Sequence, residues 1–206
     1  MWLGITGGAV VVVIIILVGF FAASPAAAPG LLPASALGPS ACVTAGRPAG
    51  AGPPWKLMTP RKLCGLPQET SAQARESGQA LVSADEGLMT VTNVGQETSS
   101  VSGAWHTPNG VPNIYRSVTF VGFEGTFEPA AVVSVLLAGQ GTPRSVPPGP
   151  HGGVMTCATQ YRSQTCVWAT PTTVGEMQVI DTTGELVGAN TGVNAIRIRD
   201  ALELPA

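Results

Sequence analysis

Val118-Thr119-Phe120-Val121-Gly122-Phe123 alternates with a period of two and is rich in β-branched and aromatic residues, so it predicts a β-strand. Soon after it, Pro129 introduces Ala-Ala-Val-Val-Ser-Val-Leu-Leu-Ala, and Gly139 follows. Proline just inside the start and glycine just past the end mark a helix. Its apolar residues lie on more than one side, as expected of a helix packed on a sheet. A strand feeding a buried helix sets the class as mixed α and β.

The neighbouring segments extend this pattern. Upstream, Leu88 to Val94 is dense in β-branched residues and reads as a strand, and Val101 to His106 as a shorter one. Thr107-Pro108-Asn109-Gly110 reads as a turn. Downstream, residues 140 to 151 form a Gly/Pro loop. Val154 to Ala158 and Thr165 to Thr170 then read as strands about the turn Gln160-Tyr161-Arg162-Ser163. That pairing sets Cys157 and Cys166 facing each other. Val174 to Ile180 is a further strand. Leu186, Ala189, Val193 and Ile196 recur at helical spacing, and Leu202 to Pro205 ends the domain as a short edge strand. The expected fold is α+β: a mostly antiparallel sheet with two helices packed on one side, over residues 55 to 206.

Composition excludes several functions. Charged residues make up 11% of the 206 and the net charge is −2. The ten basic residues are scattered singly, which argues against nucleic acid as a partner, because phosphate contacts need clustered Lys and Arg. The same scatter argues against a polybasic membrane surface.

The chain nevertheless has a membrane signature. Residues 2 to 23 carry no charge, and at ~1.5 Å per residue they reach roughly 33 Å, enough for a ~30 Å hydrocarbon core. Residues 1–23 are therefore expected to be a transmembrane anchor, which makes the membrane a partner. A cleaved signal peptide is the rival reading, with Ala26-Ala27-Ala28 as its small-residue site. Pro29 and the lack of a basic start speak against cleavage there. Residues 24–54 are rich in Ala, Pro and Gly with Arg47 as their one charge, the composition of a disordered linker. The four cysteines are Cys42, Cys64, Cys157 and Cys166, an even count that suits an oxidising compartment. Of three connectivities, the pairs near in sequence are favoured: Cys157–Cys166 and Cys42–Cys64. Ser40-Ala41-Cys42 has the ending of a lipobox, but Pro39 stands where Leu is wanted.

Chemistry-bearing residues are few. The two histidines, His106 and His151, are isolated, and no Gly-x-Ser-x-Gly occurs. Both histidines read as surface or turn residues. Cysteine spacing offers no zinc knuckle, so no metal is expected. Gly139-Gln140-Gly141-Thr142-Pro143 lacks the features of a nucleotide loop, so no cofactor is expected. Glu124 and Glu128, near a strand–helix junction, and Asp181 are the candidate catalytic carboxylates. A carboxylate near a helix start also serves plain dipole complementarity. Gly4, Gly7 and Gly8 would permit close contact of the anchor with another helix, as in an accessory or sensor subunit.

Five segments carry a family resemblance: Trp55-Lys56-Leu57-Met58-Thr59-Pro60; Val118 to Gly125 with Glu128-Pro129; Pro148 to Cys157; Cys166-Val167-Trp168-Ala169 with Thr172-Thr173-Val174-Gly175; and Arg197 to Glu203. Together they resemble a group of small, single-pass, extracytoplasmic proteins of actinomycetes. The resemblance implies an N-terminal anchor, an outward-facing domain and a Cys157–Cys166 bridge. The group commonly has an acidic residue where this chain has Thr170, and Cys42 and Cys64 are additions to it. No catalytic residue transfers with it. The expected function is thus a membrane-tethered cell-envelope module that binds an envelope protein or ligand. An envelope hydrolase using carboxylates, or an accessory subunit, is the alternative. The expected location is the cell membrane, or secretion if the N-terminus is cleaved.

Overall fold

The structure, a computed structural model, describes residues 55–108, 114–184, 187 and 191–206. The anchor, the linker, Cys42, the Asn109-Gly110 turn and the Leu186 and Ala189 positions lie outside the described residues. Among those described, no helix is long and apolar enough to cross a membrane.

The elements in chain order are β1 (Trp55–Leu57), β2 (Lys62–Leu63), β3 (Leu66–Pro67), α1 (Ala72–Thr92), β4 (Gly95–His106), β5 (Arg116–Phe127), α2 (Pro129–Leu136), β6 (Thr142–Ser145), a 3-10 turn (Gly149–His151), β7 (Val154–Gln160), β8 (Ser163–Ala169), β9 (Thr173–Asp181), α3 (Thr191–Leu202) and β10 (Glu203–Pro205). Six strands form one antiparallel sheet in the order β4-β5-β9-β8-β7-β6. β1 pairs with β10 and β2 with β3 in two small ribbons.

The sheet is apolar on both faces. Val118 and Phe120 join Trp105, Cys166, Trp168 and Met177 in one core cluster. Val121 and Phe123 join Val167, Ala169 and Val174 in another. Two apolar faces need two covers. Val82 and Met89 of α1, with Val132, Val133 and Leu136 of α2, cover the second face. Leu57, Leu63 and Leu66, with Ala195, Ile198 and Leu202 of α3, cover the first. The α+β class and antiparallel sheet are as expected. The placement of both helices on one side is corrected: among the described residues there are three helices, and α3 packs on the face opposite α1 and α2.

Leu88 to Val94 is not a strand but the end of α1 and the turn after it. Ser71 caps that helix, its Oγ accepting from the Ala74 N–H at 3.2 Å. The run from Ala72 through Ala84 carries the helix onward, and tertiary packing of Val82 and Met89 overrides the β-propensity of Val91 and Thr92. Asn93, in the left-handed region at φ 53°, ends it by turning its N–H onto the Met89 and Thr90 carbonyls. β4 then starts at Gly95, well before Val101. The expected 140–151 loop contains the exposed edge strand β6, where Pro143 is tolerated. In α3 the buried side is Ala195, Ile198 and Leu202, while Val193 is 52% exposed. The helical face expected from Val193 and Ile196 is therefore not the one that packs.

The Pro129 start of α2 is as read, and Gly139 lies at φ +82° just beyond it. β7 and β8 pair so that Cys157 lies opposite Cys166, and the two form a disulfide. Cys64 is disulfide-bonded as well. Val174 to Ile180 falls within β9, and Leu202 to Pro205 overlaps β10, which pairs with β1 rather than with the large sheet.

Candidate functional site

The three candidate carboxylates are not brought together. Glu124 accepts from the Leu57 N–H at 3.1 Å and the Ser99 hydroxyl at 3.0 Å, so it clips β1 and β4 to β5. Asp181 accepts from Arg116 Nε at 3.3 Å in the interior, and from the Thr183 N–H at 2.9 Å and the Thr183 hydroxyl at 2.7 Å nearer the surface. Across β5 and β9, Arg116 faces Asp181 and Glu124 faces Thr173. At ~3.3 Å per residue the two carboxylates are roughly 25 Å apart. Glu128 is exposed at the start of α2 and makes no side-chain cap.

Both histidines have carboxylate partners: His151 lies in a turn as expected but is buried there, and His106 is partly exposed at the end of β4. His106 Nε2 lies 2.8 Å from Glu69 Oε2, and its Nδ1 2.8 Å from the Thr107 carbonyl. Hydrogen bonding to His106, reinforced by the Ser71 N–H, holds the Glu69 carboxyl down at about 2. His151 is buried, its ring centre 4.3 Å from that of Trp55. Its Nε2 lies 2.6 Å from Asp200 Oδ1 and its Nδ1 3.4 Å from Glu203 Oε2. Glu203, fully buried, also accepts from Arg199 Nε at 2.6 Å and from the Thr173 hydroxyl at 2.5 Å. Arg199 donates further to the Pro148 and Gly152 carbonyls at 2.9 and 3.0 Å, and stacks its guanidinium over Trp168.

Four of the five segments that carry the resemblance therefore meet in one polar knot: Trp55, His151, Thr173 and the Arg199–Glu203 run. It ties the end of the chain and the β1 ribbon to the sheet. Asp200 is its most open member, at 22% side-chain exposure. No sequence signal assigned these residues a joint role. The Arg199–Glu203 spacing of four on a helix was the one local hint.

A cleft lies elsewhere, between the last turns of α1 and the start of β4. It holds about 420 Å³ and is lined by Glu86, Met89, Thr90, Asn93, Gly95, Gln96 and Glu97. Burial, together with the neighbouring Glu86 carboxyl, pushes the Glu97 carboxyl up to about 7. Beneath the same helix, burial raises Asp85 to about 7. Burial also raises Glu176 on β9 well above the usual carboxylate range, and the Asp85 charge adds to it. The cleft has no histidine, cysteine, lysine or arginine in its lining. Its acidic pair suits a cationic group, and its lining contains no nucleophile–base pair. Among the described residues no group of three metal-ligating side chains comes together. None of these four acids was legible as a site, because the strand expected over Leu88 to Val94 hid the α1–β4 junction.

No protein-family model matches this chain, and neither a curated protein nor a solved structure matches it.

Proposed function

We propose that this chain is a membrane-tethered, extracytoplasmic module of the cell envelope that binds a partner and performs no chemistry. The observation that carries this reading is where the ionisable groups lie. His106, His151, Glu124, Asp181, Arg116 and Arg199 are all engaged in bonds between elements of the fold. None of them lines the cleft. The Cys157–Cys166 bridge supports an oxidising compartment. The uncharged N-terminal stretch supports tethering.

One observation favours a hydrolase instead: the raised Glu97 carboxyl beside Glu86 resembles a pair sharing a proton. Full-length protein incubated with envelope glycan and envelope peptide separates the readings. The binding reading expects no turnover, and identical traces for wild type and Glu97→Gln. Turnover that Glu97→Gln abolishes would establish the hydrolase.

A further inference from the structure

The outer edge of β4 is an open strand edge. Among the described residues β4 pairs with β5 alone along its length, apart from its far end, where Gln68 bridges Trp105 and the Glu69 N–H donates to the Ala104 carbonyl at 2.8 Å. That bond shows the Ala104 backbone facing outward. Backbone direction repeats every two residues along a strand, so Ser102 and Ser100 also face outward. The other end of the open stretch is set by the bulge between Glu97 and Ser99. The intervening Ser99-Ser100-Val101-Ser102-Gly103 has no charge and no proline, the devices by which exposed edges resist pairing.

The cleft adjoins this edge. Leu81 on α1 packs toward the core that α2 shares. Glu86 comes five residues later, on the opposite flank of the helix. On that flank Glu86 meets Glu97 at the start of β4. The Glu86–Glu97 pair, which keeps one negative charge while it shares a proton, and the C-terminal carbonyl end of α1 give the cleft negative polarity.

A second copy of the chain fits poorly. Gly78 of α1 lies directly over Ser102 of β4, close enough that a methyl group there would meet the Ser102 hydroxyl. Two copies joined edge to edge would hold their α1 axes on the order of 5 Å apart, whereas packed helices need about 8–10 Å. A single strand has no such helix above it.

We infer that β4 accepts an extended peptide from a partner as a seventh strand, with a Lys or Arg of that peptide seated in the Glu86–Glu97 cleft. Backbone hydrogen bonds to Ser100 and Ser102 hold the strand, and the cleft selects the basic residue. This rests on the binding-module reading, whose own failure would show instead as catalytic turnover or as free thiols.

The test is selection of a random dodecapeptide library on full-length protein, with synthesis and titration of the enriched peptides. Ser100→Pro removes an outward N–H at an edge position where proline is tolerated, leaving the β5 ladder whole. Glu86→Gln and Glu97→Gln each remove one carboxyl of the pair that would face the basic residue. The expected result is enrichment of peptides with Lys or Arg, binding weakened at least tenfold by Ser100→Pro, and weakened severalfold by each Gln variant. Circular dichroism of Ser100→Pro should match wild type. Enrichment of acidic peptides, binding indifferent to Ser100→Pro and both Gln variants, or no enrichment would each overturn the proposal. So would a dimer that Ser100→Pro dissolves, since it would assign the edge to a second copy.

Discussion

Gly175 on β9 lies where the Trp168 indole crosses the sheet, and a methyl group there would overlap the ring. Trp168 is fully buried and stacked on Phe120, with ring centres 5.7 Å apart, so it has no room to retreat. Gly175→Ala should therefore destabilise by about 1–3 kcal/mol, the usual cost of overpacking. Thermal unfolding reads this directly, and an unchanged midpoint would contradict the packing described. Arg199 presents a different case. It neutralises Glu203 in the interior, and Arg199→Met would leave that carboxylate buried with one cationic partner fewer. A loss of roughly 3–5 kcal/mol is expected in denaturant unfolding. Replacing Glu203 by Gln in the same chain should recover part of it.

At the scale of elements, α1 rests on a pair of acids. Asp85 and Glu176 face each other under the helix, both with raised carboxyl pKa values. Such a group holds its proton more tightly in the folded chain. Between the ordinary Asp value of 3.8 and about 7 for Asp85, the folded chain binds more protons, so stability falls as pH rises through that window. Glu69 runs the other way: lowered from 4.5 to about 2, it contributes above 4.5 and loses that contribution as pH falls toward 2. The two windows overlap between 3.8 and 4.5, and stability should peak there, near pH 4. Asp85→Asn should flatten the decline toward neutral pH and stabilise by about 1–3 kcal/mol at pH 8. Urea unfolding across pH 3 to 9 checks both slopes, and parallel curves for variant and wild type would contradict the buried pair. The same helix shows what the sequence could convey. β5, α2 and the β7–β8 hairpin were readable because alternation, a proline start and a local turn lie within each segment. α1 was not readable at its end, because Val91 and Thr92 favour a strand locally while the cap that starts the helix, Ser71, lies far upstream. The packed face of α3 was misread because Val193 and Ile196 also recur at helical spacing, while Ala195, Ile198 and Leu202 are the residues buried. The polar knot draws on Trp55, His151, Thr173 and Glu203, residues that only the assembled chain makes neighbours.

Across the whole molecule, a sheet covered on both faces, a bridged hairpin within it and an uncharged N-terminal stretch support one account: a folded module held outside the membrane, presenting its open β4 edge to a partner. In that account the Cys157–Cys166 bridge closes a loop of nine residues' separation and adds roughly 2.5–3 kcal/mol in the chain-entropy description. It persists only where the compartment is oxidising. A non-reducing peptide map with thiol alkylation, made on native full-length protein from fractionated cells, tests this most directly. The account predicts Cys157 and Cys166 recovered as one bridged peptide, and the Trp2 peptide retained with the membranes. Free alkylation of all four cysteines would contradict it, placing the domain in a reducing compartment and removing the basis for an extracytoplasmic binding module.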